Sequence, residues 1–234
     1  MLVLLLVSAC DRSAARTGNY AAPNVLTGDG GADPATGEVR YLALGDSLTQ
    51  GGGLPVPEQG AFPTLLAQKW RDKGCKVEVK NPAVTRFEAK DVIAKQLPLI
   101  ESFKPTMITL QIGGNDVAMK VPIATYRTNI QTILDAAKKS GARVFVMPQN
   151  EWFRSPEGGT YGKDLAERRA TFDAALMEEA TARGAEILDL RLLFQQQADK
   201  KMWNADDHMH PNAESYAAWA NELARILPPP CGRR

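Results

Sequence analysis

Tyr41-Leu42-Ala43-Leu44-Gly45-Asp46-Ser47-Leu48-Thr49-Gln50-Gly51 passes from a short apolar run to a glycine, then to an acid and a hydroxyl, and opens the run Gly51–Gly53. An apolar run of this length cut off by glycine reads as a buried strand that stops abruptly. In an open α/β sheet, ligands bind in the ground just beyond the carboxyl end of such a strand. The Ser47 hydroxyl is therefore a candidate nucleophile. The glycines after it give the backbone room beside that hydroxyl. No Gly-Lys-Ser/Thr follows them, so they do not read as a phosphate loop.

Outward from this stretch, the chain alternates strands with helices. Val39–Leu44 is the first strand. Lys76–Lys80, Thr106–Ile112, Arg143–Met147 and Glu186–Leu190 read as four more. Ala61–Lys73 carries Phe62, Leu65, Leu66 and Trp70 at helical spacing and stops at Gly74. Asp91–Phe103 reads as a helix kinked or split at Pro98. Tyr126, Ile130, Ile133, Leu134 and Ala137 share one face of a helix closed by Gly141, and Asp164–Arg183 is a long helix ended by Gly184. The last helix starts near Asn212, a good N-cap, and runs through Tyr216, Trp219 and Leu223 to Pro228. This alternation predicts an α/β fold: a three-layer α/β/α sandwich with a mostly parallel five-stranded sheet. Gln149–Lys163 is a polar loop whose Trp152 and Phe153 read as exposed aromatics. It is either a substrate-binding loop centred on Trp152 or a solvated excursion.

The chain of 234 residues carries 28 basic and 27 acidic side chains, and only 7% of its residues are aromatic. Neither figure favours a nucleic-acid partner. Met1–Val7 is aliphatic and ends in Val7-Ser8-Ala9-Cys10. It is far short of the ~20 residues that span a bilayer, but it suits the core of a secretory signal. Although no Lys or Arg precedes it, the pattern resembles the lipobox of bacterial lipoproteins, with Cys10 as the lipidated residue. An ordinary cleaved signal or a mis-assigned start is the alternative. The expected organisation is a signal segment over 1–10, a flexible tether over 11–37, a folded domain over 38–228 and a tail over 229–234. Such a protein is exported and membrane-tethered, in a bacterial periplasm or on the cell surface. Cys75 and Cys231 are then left as one candidate disulfide, and the three cysteines do not sit at metal-ligand spacing.

A serine hydroxyl attacks well only when a positioned base takes its proton. The two histidines, His208 and His210, both lie in Asp206-Asp207-His208-Met209-His210-Pro211-Asn212. Asp207 stands three residues before His210, close enough for one tight turn to bring its carboxylate to the imidazole. The same loop offers ligand types that suit zinc, although all would come from one segment. Charge developing on a carbonyl oxygen needs donors. Asn115, in Gly113-Gly114-Asn115-Asp116 after the third strand, and the Ser47 N–H are candidates. Asp46 and Asp116 read as structural.

Gly45-Asp46-Ser47-Leu48, Gly113-Gly114-Asn115-Asp116 and Asp207-His208-Met209-His210-Pro211 together resemble the SGNH (GDSL-type) hydrolase family, over roughly Glu38 to Leu227. The resemblance implies a flavodoxin-like sandwich with Ser47 as nucleophile, His210 as base and Asp207 as its orienting partner. It implies Asn115 and backbone amides as the oxyanion hole, and no metal or organic cofactor. The implied activity is hydrolysis of carboxylic esters, thioesters or O-acetyl groups of a small molecule, lipid or acylated sugar, by a monomeric chain. A non-hydrolytic glycan-binding or acyl-transferring module on the same fold is the alternative. One block departs from the family. In Asn81-Pro82-Ala83-Val84-Thr85-Arg86-Phe87, the glycine that supplies an oxyanion N–H aligns with Arg86. Arginine keeps the N–H but disfavours positive φ, and its side chain would crowd or charge the pocket or bind an anionic substrate. No Gly-x-Ser-x-Gly elbow is present, which argues against the other common serine-esterase fold.

Overall fold

The computed structural model describes Tyr20, Ala21, Asn24, Leu26 and residues 37–231. The expectation for Cys10 and its leader lies outside them. Five strands, β1 (Glu38–Gly45), β2 (Lys76–Lys80), β3 (Met107–Gln111), β4 (Arg143–Val146) and β5 (Glu186–Ile187), form one sheet in the order β2-β1-β3-β4-β5. Every pairing is parallel. This is the flavodoxin-like order, whose switch point lies between β1 and β3.

Among the described residues, ten α-helical segments connect and flank the strands. Four precede β2 or follow it closely: α1 (Ser47–Gln50), α2 (Pro57–Gly60), α3 (Phe62–Arg71) and α4 (Ala89–Asp91). Then come α5 (Leu99–Phe103), α6 (Gly114–Ala118), α7 (Ile123–Lys139), α8 (Leu165–Ala182), α9 (Arg191–Asp199) and α10 (Ala213–Ile226). The segment expected as a helix kinked at Pro98 is broken earlier as well. A π turn over Val92–Gln96 separates α4 from α5.

Alternation along the strands sorts the core into two layers, because successive side chains of a strand point to opposite faces. Leu42, Leu44, Ile108, Leu110, Val144 and Val146 pack with Tyr126, Ile130 and Leu134 of α7 and Phe172 and Leu176 of α8. Val39, Tyr41, Ala43, Met107 and Phe145 pack on the other side with Phe62, Leu66 and Trp70 of α3 and Tyr216, Trp219 and Leu223 of α10. The sheet is thus covered on both faces, as a parallel sheet requires.

Helix α9 escapes the apolar pattern because polar Gln197 occupies one of its buried positions. Gln197 Nε2 donates to the Ser215 carbonyl at 3.2 Å, and its Oε1 accepts from Trp219 Nε1 at 2.7 Å. A satisfied polar side chain in a core position hides the period that would reveal the helix.

Cys75 and Cys231 form a disulfide across 156 residues, with their Cα atoms 5.4 Å apart. It fastens the chain after α10 to the start of β2, so the tail expected over 229–234 is held at Cys231. Reduction, or Cys75→Ser with Cys231→Ser, is expected to lower the unfolding free energy by roughly 2–5 kcal/mol. Thermal melts with and without reductant read this directly, and an unchanged midpoint would contradict it. The stretch read as a tether also touches the domain. Leu26 N–H donates to the Ile226 carbonyl at 2.8 Å, and the Tyr20 ring lies 4.4 Å from the Arg191 guanidinium.

Candidate active site

The end of β1 is held from below. Gly45 N–H donates to Gln96 Oε1 at 3.0 Å, and Gln96 Nε2 returns a bond to the Gly45 carbonyl at 2.8 Å. The π turn delivers this buried glutamine, and nothing in the sequence marked it. Gly45 must be glycine, since a Cβ there would fall 2.5 Å from the Gln111 carbonyl oxygen. Asp46 then N-caps α1, its Oδ1 accepting the Leu48 N–H at 3.0 Å. Ser47 thereby becomes the first helical residue, where a backbone N–H has no intrahelical acceptor.

The loop before α10 brings the histidine to this serine. His210 Nε2 lies 2.8 Å from Ser47 Oγ, and His210 Nδ1 lies 2.7 Å from Asp207 Oδ2. Asp207 Oδ1 accepts the backbone N–H groups of Met209 and His210, each at 2.9 Å. One carboxylate thus shapes the turn with one oxygen and holds the imidazole with the other. Asn204, unmarked in the sequence, anchors the loop. Its Oδ1 accepts from the Asp206 and Asp207 N–H groups, and its Nδ2 donates to the Gly53 carbonyl. The glycine run does leave room beside the nucleophile. A Cβ at Gly52 would lie 2.7 Å from His210 Cδ2 and 3.1 Å from Ser47 Cβ.

Asn115 arrives from the end of β3, with its Nδ2 donating to the Phe87 carbonyl at 2.9 Å. The amide keeps a second hydrogen for another acceptor. The loop around Arg86 is clamped on both sides. Thr85 bonds Gln50 of α1 through its N–H at 2.8 Å, and Phe87 bonds Asn115. Between them Arg86 takes the left-handed conformation, at φ 69°. The residue that replaces the expected glycine therefore adopts a glycine-like backbone. Its side chain is exposed and is absent from the cleft wall, which corrects the expectation that it would crowd the pocket.

A second correction concerns Trp152. The loop was expected to expose it, but Trp152 is 5% exposed and meets the Tyr161 ring edge-on at 5.8 Å. Two 3₁₀ turns, Trp152–Arg154 and Gly158–Tyr161, order the loop. Trp152 still lines the cleft, of about 370 Å³ and open to solvent, together with Ser47, Asn115, Gln149, Tyr161 and Met209. Gln149 and Tyr161 carry no sequence signal of their own. Among the described residues, no three His, Cys, Asp or Glu side chains are grouped as ligands for a metal ion.

Burial pushes the Asp207 carboxyl up, but the Met209 and His210 N–H groups and the imidazole outweigh it. Its pKa lies below the ordinary carboxylate value, so the group facing the imidazole stays ionised. Asp46 behaves in the opposite way. Burial raises it to about 7, against the Leu48 N–H bond and with help from the charge of Asp116. Asp116 is raised to about 6 by burial, although it accepts the Ala89 N–H with both oxygens.

These two acids make stability fall as pH rises. An unfolded Asp releases its proton near pH ~3.9. The native state holds those protons to about pH 6 and about pH 7. The unfolded chain is therefore favoured progressively across that window. Asp46→Asn keeps a good capping side chain and is expected to flatten the slope. Urea melts at pH 5 and pH 7.5 measure it, and a slope identical to wild type would refute the assignment.

The sequence profile of the GDSL-like lipase/acylhydrolase family matches residues 43–218. An arylesterase of Vibrio mimicus is 24% identical over 80% of this chain and 88% of its own. Thioesterase 1/protease 1/lysophospholipase L1 of Escherichia coli K12 is 25% identical over 80% of this chain and 83% of its own. Among solved structures, TesA superposes with a TM-score of 0.67 at 20% identity, covering 82% of this chain and 99% of that one. With the match running from the end of β1, just before Ser47, into α10, just after His210, the chain belongs to the GDSL-like lipase/acylhydrolase family and is a hydrolase of ester bonds.

Proposed function

We propose that the enzyme cleaves carboxylic esters through a Ser47–His210–Asp207 triad and a covalent acyl-enzyme. The observation that carries this reading is the unbroken chain from Ser47 Oγ to His210 at 2.8 Å and from His210 to Asp207 at 2.7 Å. Ser47 Oγ attacks the carbonyl carbon while its proton passes to His210 Nε2. The ionised Asp207 stabilises the imidazolium so formed. Three donors receive the developing oxyanion: Asn115 Nδ2 and the backbone N–H groups of Ser47 and Arg86. The C–O bond to the leaving group breaks as His210 returns the proton to that oxygen. Water, activated by the same imidazole, then releases the acid and restores Ser47.

The left-handed backbone at Arg86 supports its N–H as the third donor, because it reproduces what glycine does there. The Arg86 side chain, exposed beside that donor, is suited to an anionic group of the substrate outside the cleft. Thioesters and O-acetyl groups fall within the same chemistry. The leader ending at Cys10 favours an exported, lipid-anchored protein. Among the described residues, no helix is long and apolar enough to cross a membrane.

A fluorophosphonate probe tests the reading. Stoichiometric covalent labelling of Ser47 is expected, and absence of labelling on folded protein would overturn it. Product analysis with and without an alcohol acceptor separates hydrolysis from acyl transfer.

A further inference from the structure

Three polar atoms in the inner wall of the cleft have no part in this reaction. Gln149 Oε1, Gln149 Nε2 and Trp152 Nε1 are shielded from solvent and have no hydrogen-bond partner. Their residues are 2% and 5% exposed, and both line the cleft that holds Ser47 and His210. Two of them, Gln149 Oε1 and Trp152 Nε1, lie over Gly114, the neighbour of Asn115. A Cβ on Gly114 would lie 2.8 Å from Gln149 Oε1 and 3.4 Å from Trp152 Nε1. Any larger residue at 114 would press on that pair, and Gly114 itself lines the cleft.

The backbone that carries them is clamped. Gln149 N–H donates to Asp173 Oδ1 at 3.1 Å, and Arg169 donates to the Gln149 carbonyl. Arg169 also pairs with Glu151 at 3.1 Å and with Asp173 at 2.9 Å, all three side chains being buried. A buried ionic cluster thus holds the chain after β4 in place. A donor or acceptor buried without a partner is costly, because it gives up its bonds to water and gains none in return. Such groups in a rigid cleft wall point to a bound molecule that pairs with them.

Resting on the serine-hydrolase reading, we propose that Gln149 and Trp152 form a subsite for a hydroxyl group of the substrate. The enzyme then takes hydroxyl-bearing esters, acylated sugars and polyols or hydroxyacyl esters, ahead of plain alkyl esters. A hydroxyl fits because it both donates and accepts. It donates to Gln149 Oε1 and accepts from Trp152 Nε1–H or Gln149 Nε2–H. An alkyl chain in the same place would leave all three atoms unpaired.

Two matched substrate pairs test the subsite and locate it. Glycerol monoacetate against propyl acetate places the hydroxyl in the alcohol. The p-nitrophenyl esters of hydroxybutyrate and butyrate place it in the acyl group. Wild type is expected to favour the hydroxylated member of one pair by about tenfold or more in kcat/KM, the worth of about one such bond. The pair that shows it identifies the side of the scissile bond. Gln149→Met and Trp152→Phe should each shrink that preference several-fold. Three results would overturn the proposal: no preference in either pair, a preference surviving both variants, or parallel loss on both members of a pair. Failure of the serine-hydrolase reading would appear separately, as Ser47→Ala still turning over p-nitrophenyl butyrate.

Discussion

Alanine at Ser47 is expected to lower kcat on a short-chain p-nitrophenyl ester by about 10⁶-fold, the loss typical when a triad nucleophile is removed. The side chain lost is the one 2.8 Å from His210 Nε2. No other described serine or threonine is paired with either histidine, so no substitute nucleophile stands beside the imidazole. His210→Ala should cost about as much. The double variant should lose little more, because the two groups act as one unit. Steady-state rates on the single and double variants measure this. Turnover of Ser47→Ala within tenfold of wild type would place the nucleophile elsewhere. The fold should survive the change, since Asp46 and not Ser47 caps α1.

Asn at position 207 is expected to lower kcat by about 10⁴-fold while leaving the protein folded. The carboxylate has two separate tasks. Oδ1 accepts two backbone N–H groups that shape the turn, and Oδ2 accepts from His210 Nδ1. The carbonyl oxygen of asparagine can keep the first task. Its NH₂ must face Nδ1 in place of Oδ2, so the imidazole is driven to carry its proton on Nε2. An imidazole in that tautomer cannot take the Ser47 proton. Rates combined with a melting curve separate the two tasks. Normal activity in a folded Asp207→Asn would remove Asp207 from the mechanism.

Much of this was legible along the chain, because the signals involved are local. Alternation in Val39–Leu44 and helical spacing in Phe62, Leu66 and Trp70 are dictated by which side chains can be buried from one element. β1 and α3 accordingly lie within one or two residues of expectation. Helix α9 was not legible, since Gln197 is polar by type and buried by context. Trp152 was misread for the converse reason. A tryptophan among polar residues looks exposed until Tyr161 and α8 are folded over it. Gln96 and Asn204 reach the site through bonds to backbone groups distant in sequence, at Gly45 and Gly53, although Asn204 also holds its own turn. Their residue types alone give no hint of that.

The amino-acid sequence by itself determined the layered α/β fold and the chemistry on offer: one hydroxyl after a strand, one Asp-x-x-His turn and one asparagine after two glycines. Residue types and short spacings carry that information. Only the tertiary structure decided that these groups meet. Ser47 and His210 are 163 positions apart, and they converge because α10 packs against α3 while Asn204 and Tyr216 bond the Gly53 and Gly52 carbonyls just after Ser47. The tertiary structure also decided how Arg86 behaves. Its backbone keeps the glycine conformation because Gln50 and Asn115 hold the residues on either side of it.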